Sequence, residues 1–356
     1  MKNFYRLQVY LKTVALPKAG LTLGILALGN LWANLLPTAA GGWIRWICGL
    51  LALFFFLQIL GKFWWHPQVV FKEDMTNPVV APVSATIYMT LMQFATYLAA
   101  LGSGGTSSLA TAASSNVDWW HVISLVVWWF ALVSNLALMV WITYRFVCKG
   151  PGLQIQQVFP TWFVGYIGIV VAAATSGTLG TQTVGRPIFW VGFAFYLILF
   201  PLVTYRVIRH PLPDPVRPSL AIYTAPASLT LVGYATSYST ASAQPNKWFI
   251  LVLAILAQVF FVAVLAILPR LLRLSFYPSY SALTFPLVIT ATGLWQTLQV
   301  FSAQGTPLPI WLEWVQVAET IFATVIVLYV ACRFLDNENG RWKQAGTEIR
   351  RQLAAS

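Results

Sequence analysis

Ten runs of about twenty mostly apolar residues, separated by short polar or Pro/Gly-bearing turns, occupy most of the sequence. Such runs leave little choice of fold. A helix needs about twenty residues to cross the ~30 Å hydrocarbon core of a bilayer, and in hydrocarbon each backbone N–H and C=O must be paired within the protein. The runs lie at 14–36, 42–62, 82–102, 119–146, 160–180, 187–209, 219–238, 247–268, 280–302 and 311–335. The expected fold class is therefore all-α integral membrane, with ten transmembrane helices paired as five helical hairpins. Only 8% of residues are charged and 58% are hydrophobic, about a third of the charge of a soluble domain, so a water-soluble domain is excluded. Three parts follow: a cytoplasmic N-terminal segment 1–13, a ten-helix transmembrane domain 14–335 and a basic cytoplasmic tail 336–356, which either lies along anionic lipid or is frayed.

The distribution of Lys and Arg sets the direction of the helices, because basic residues collect on the cytoplasmic side. One side holds Lys2, Arg6, Lys12, Lys18, Lys62, Lys72, Arg145, Lys149, Arg206, Arg209, Arg217, Arg270, Arg273, Arg333, Arg341, Lys343, Arg350 and Arg351; the other holds only Arg45, Arg186 and Lys247. This alternation over ten spans places both termini in the cytoplasm of a cell (inner) membrane protein. The net charge of +12 is thereby a matter of topology, and no nucleic-acid partner is expected. Trp43, Trp46, Trp64, Trp65, Trp119, Trp120, Trp248, Trp311 and Trp314 fall at predicted helix ends, where an indole ring anchors at the membrane interface. The first apolar run follows Lys12 and Lys18 without a small-residue cleavage site, so it reads as a membrane helix rather than a signal peptide.

Catalytic chemistry has no visible carrier. Cys48, Cys148 and Cys332 lack paired spacing, and His66, His121 and His210 have no partner at metal-ligand spacing. No phosphate-binding glycine loop or nucleophile elbow occurs in context. Neither enzyme activity, a metal nor a cofactor is expected.

The odd-numbered spans differ from the even ones. Each odd span carries a proline near its cytoplasmic end, Pro17, Pro82, Pro160, Pro226 and Pro286, at a period of one hairpin. Gly24, Gly168, Gly233 and Gly293 follow four of these about two turns later, with Met89 in the corresponding region of the third span. Proline bends a helix and glycine permits close approach, so kinked, tightly packed inner helices are expected. The odd spans also hold about twenty Ser and Thr against about six in the even spans. Intramembrane polar groups tend to face a bundle interior or watery path. Thr86, Thr90, Ser228, Thr230 and Thr284 are therefore candidate pore-lining residues, although helix contacts alone also use such hydroxyls. Five inner helices entering in parallel imply quasi-fivefold symmetry about a central pore. Glu319 is the single acid clearly within a span, which argues against cation selectivity or coupling through buried carboxylates. Basic loops and helix N-termini at one mouth favour small anions.

The stretches Pro17-Lys-Ala-Gly-Leu-Thr-Leu-Gly24, Phe159-Pro-Thr-Trp-Phe163, Tyr223-Thr-Ala-Pro-Ala-Ser228 and Leu283-Thr-Phe-Pro-Leu287, in this order on five hairpins, are those of a known group. Over 14–335 the sequence resembles the tellurite-resistance/dicarboxylate transporter family, which includes bacterial TehA and the slow anion channels of plant guard cells. The resemblance implies a homotrimer with a pore in each subunit, five inner helices within five outer ones. It also implies a gate: the ninth-span phenylalanine that occludes the pore matches Phe285. On its own, a phenylalanine beside Pro286 reads as ordinary packing. The function so implied is a channel for small anions such as chloride and nitrate. The alternative is a carrier of C4-dicarboxylates such as malate, or of sulfite or tellurite oxyanions, for which fixed arginines in the path would be expected.

Overall fold

A computed structural model describes residues 2–102, 118–149, 152–240 and 243–355. The expected external loop at 102–108 lies beyond the described residues from 103 onward. The described chain is helical, with an isolated bridge between Thr240 and Ala243 as its sole β pairing.

The first six helices are α1 (Lys2–Lys12), α2 (Lys18–Leu35), α3 (Thr38–Trp65), the single turns α4 (Pro67–Val69) and α5 (Val80–Val83), and α6 (Ala85–Gly102). There follow α7 (Trp119–Thr143), α8 (Thr161–Ile167), α9 (Val170–Leu179) and α10 (Gln182–Arg209). The last four are α11 (Ala225–Tyr238), α12 (Lys247–Leu272), α13 (Phe285–Ala303) and α14 (Trp311–Ala355).

Among the described residues, five segments are long and apolar enough to cross a membrane: Thr38–Trp65, Trp119–Cys148, Gln182–Arg209, Lys247–Leu272 and Trp311–Thr347. Each is the second member of an expected hairpin. At 1.5 Å per residue the 28 residues of α3 reach about 42 Å, enough to span the hydrocarbon core with turns to spare. The bent pair α8–α9 passes the same test when taken as one segment. The other first members are shorter or broken and carry hydroxyls, so length and composition alone do not qualify them.

Burial separates two layers. Thirteen of the 18 residues of α2 are buried, whereas only 28% of the apolar window of α3 is. The inner segments α2, α6, α8–α9, α11 and α13 pack each on the next, and α13 returns to α2, closing a ring. Around it, α3, α7, α10, α12 and α14 each lie against the inner segment that precedes them. Their outward faces expose large apolar side chains, including Leu50, Val126, Ile198, Val262 and Val325. In water this would be a liability; against lipid it is the required surface. Trp43, Trp64, Trp119, Trp248, Trp311 and Trp314 are all exposed near the ends of the outer helices.

The prolines begin helices. Pro17 and Pro160 precede the first residues of α2 and α8, while Pro226 and Pro286 are second residues of α11 and α13. Pro82 lies within α5, and the chain breaks at Ser84 before α6 starts. Proline has no N–H to lose at a helix start. Upstream of Pro226 and Pro286 the chain arrives in tight 3-10 turns, Arg217–Thr224 and Pro278–Leu283. A bend of 46° separates α8 from α9. It falls at Gly168, two turns after Pro160, where an added Cβ would lie 2.7 Å from the Met89 sulfur.

The two ends of the chain pack on the N-terminal side of the ring. Helix α14 continues unbroken to Ala355, so residues 336–355 extend the last helix. Glu338 on this extension forms an ion pair with Lys18, which also donates to Gln58 Oε1 at 2.5 Å. Arg341 donates to the Thr13 carbonyl, and the Arg6 guanidinium donates to the Trp342 carbonyl at 2.9 and 3.0 Å.

Candidate conduction pathway

A cavity of about 70 Å3 lies among the N-terminal halves of the ring helices. All five inner segments contribute to its wall: Pro17 and Leu23 from α2, Thr86 and Met89 from α6, and Thr161 and Gly168 from α8 and its end. Pro226 and Leu229 come from α11, and Phe285 and Pro286 from α13. The wall contains no Asp, Glu, Lys, Arg or His among the described residues. Lys18, one residue from Pro17, is only 2% exposed and is held by Glu338. The cavity is therefore electrically quiet at the side-chain level. The partial positive ends of the inner helices converge on it.

Phe285 is the first residue of α13 and is 5% exposed. Its position follows from the contact between α13 and α2. Thr284, just before it, donates to the Gly20 carbonyl at 3.0 Å. A Cβ at Gly24 would meet the Phe285 backbone nitrogen at 2.9 Å. Glycine at 20 and 24 lets α2 come close enough to hold the start of α13 against the cavity.

The candidate hydroxyls divide. Thr86 lies on the cavity wall, with its hydroxyl turned back to the Val83 carbonyl at 2.6 Å. Thr90, Ser228, Thr230 and Thr284 are fully buried between helices and off the wall. Thr90 bonds the Thr86 carbonyl at 2.7 Å and approaches Thr22 Oγ1 at 3.3 Å. Ser228 donates to the Thr224 carbonyl and pairs with Thr290 at 3.0 Å; Thr230 donates to the Pro226 carbonyl at 2.7 Å. Serine and threonine in helices readily bond the carbonyl a turn back, which removes them as free donors. Of the prolines, Pro17, Pro226 and Pro286 line the cavity; Pro82 and Pro160 stand beside the wall residues Val83 and Thr161.

Two wall hydroxyls beyond the expected set are Thr161 and Ser219. Thr161 is 2% and Ser219 1% exposed, and neither hydroxyl has a hydrogen-bond partner among the described residues. Each directly follows a proline, Pro160 or Pro218, whose lack of N–H and fixed φ set the start of a turn. That adjacency was the available signal.

A ring of buried helices inside a lipid-facing shell, around an uncharged cavity reached by all of them, defines a multi-pass membrane channel or transporter. The family model described as voltage-dependent anion channel, SLAC1, matches residues 18–335. The chain belongs to this family. No curated protein sequence matches it.

Proposed function

We propose that the protein is a channel that passes small anions such as chloride and nitrate down their gradient through a pore within each subunit. The observation that carries this reading is the uncharged cavity walled by all five inner segments. The wall has no carboxylate ring of the kind that selects cations, and helix N-termini with hydroxyl donors favour an anion. Without an arginine or lysine on the wall, a dicarboxylate, sulfite or tellurite carrier lacks the fixed charge that would select a dianion. In this reading the ten apolar runs are ten crossings in quasi-fivefold arrangement, with both termini cytoplasmic and three subunits per assembly.

Phe285 is the plug. It stands on the cavity wall at the start of α13, where a ring narrows an apolar path enough to dewet it. Recording purified protein in planar bilayers tests the proposal. Phe285→Ala should raise chloride and nitrate currents, while malate and sulfite carry little. Unchanged current with normal reconstitution would remove Phe285 from gating, and saturable flux without current would favour a carrier.

A further inference from the structure

The far end of the ring poses an electrostatic problem for an anion. There the inner helices present their C-termini, whose unpaired carbonyls together carry about half a negative charge per helix. An anion crossing the ring meets an unfavourable sign at this rim.

Three cations from the outer helices sit on it. Arg45 of α3 donates to the Thr96 carbonyl at 2.7 Å, in the last two turns of α6, and lies 4.8 Å from the Tyr97 ring centroid. Arg186 of α10 donates from Nε to the Ser237 carbonyl at 3.1 Å, in the last turn of α11, and from Nη2 to Thr240 Oγ1 at 3.1 Å. Lys247, the first residue of α12, donates to Thr306 Oγ1 at 3.0 Å, just beyond α13. None of the three takes part in a salt bridge among the described residues.

Their own helices do not account for them. Arg186 and Lys247 stand near the N-termini of α10 and α12, where the helix dipole disfavours a cation. Neither helix has an acid in its first turn to offset this. The acids on this side are spent elsewhere: Asp118 caps α7 by accepting from the Trp120 and His121 N–H groups, Glu313 begins the outer helix α14, and Glu319 is buried in it. Arg45 and Arg186 donate to carbonyls of the inner helices α6 and α11, and Lys247 reaches Thr306 just past α13 and lies over Phe301 of α13 as well as Trp248 of its own helix.

Resting on the anion-path reading, we propose that Arg45, Arg186 and Lys247 form an electrostatic exit. They cancel the negative C-terminal rim of the ring and gather small anions there, as specificity-determining residues away from the cavity.

The test is conductance of the full-length protein in planar bilayers in KCl, for wild type, Arg186→Gln, Lys247→Gln and the charge-conserving Arg186→Lys. At ~10 mM salt the Debye length is about 30 Å, and each Gln variant should carry about half the wild-type anion current or less; at 1 M, with a length of about 3 Å, the variants should match wild type. Arg186→Lys should conduct like wild type at both. Gln variants that equal wild type in low salt, or that lose the same fraction at both concentrations, would overturn the exit while leaving the pore standing. A wild type that passes no anion current would overturn the pore reading and the exit with it.

Discussion

Gly24 of α2 faces Thr284 so closely that a Cβ at position 24 would lie 2.7 Å from both Cβ and Oγ1 of Thr284. The contact joins the first inner helix to the last and closes the ring. It also positions Phe285, the next residue, on the cavity wall.

Gly24→Ala should accordingly force α2 and α13 apart. Overpacking of this kind costs about 1–3 kcal/mol. Thermal unfolding of the detergent-purified variant should show a lower midpoint. Thr284→Ala should not rescue it, because Cβ and the Phe285 nitrogen remain in the way. A midpoint equal to wild type would mean that the ring has slack at this contact.

Thr161 and Ser219 separate stability from conduction. Leaving a buried hydroxyl unpaired costs about 1–3 kcal/mol, so Thr161→Val and Ser219→Ala should leave the unfolding midpoint unchanged or raise it. The same substitutions remove two wall donors that no hydrogen bond holds and should lower anion conductance. If stability fell instead, these hydroxyls would be structural.

The ion pair between Lys18 and Glu338 ties the C-terminal extension of α14 to the first inner helix. Lys18 is 3% and Glu338 12% exposed at the side chain. Removing one partner of a buried pair leaves the other uncompensated, at a cost of about 3–5 kcal/mol. Glu338→Gln should therefore lower the unfolding midpoint strongly. The double variant Lys18→Met/Glu338→Met should recover most of the loss, and equal losses in both variants would argue against the pair.

Chemical access should map the cavity. In a background with Cys48, Cys148 and Cys332 replaced by serine, Ala282→Cys lies on the wall and partly exposed. A negatively charged thiosulfonate should label it and reduce the current. Ser228→Cys, fully buried and off the wall, should stay unlabelled. The reverse pattern would move the path elsewhere.

Much of this architecture was legible in the residues. The five outer helices follow from uninterrupted apolar length, as in Lys247–Leu272, and the inner set from its hydroxyls and prolines. Three things were not legible, each for a physical reason. A hydroxyl's residue type does not reveal which side of its helix faces the cavity: Thr86, Thr90, Ser228, Thr230 and Thr284 read alike, yet of these five Thr86 alone borders it. A proline predicts a break but not its side: Pro226 and Pro286 start helices after tight turns, and the sharp bend came at Gly168. The polarity after Cys332 suggested a separate tail, yet Glu338 and Arg341 find partners in Lys18 and Thr13 that are distant in the chain, and such pairing leaves no local signal.

The central claim, that the uncharged cavity is an anion path, is tested most directly by the reversal potential of Phe285→Ala in planar bilayers under a tenfold KCl gradient. The reversal should fall near the chloride equilibrium potential and shift little when sodium replaces potassium. Reversal near the potassium potential, or no current from a folded and reconstituted variant, would contradict it.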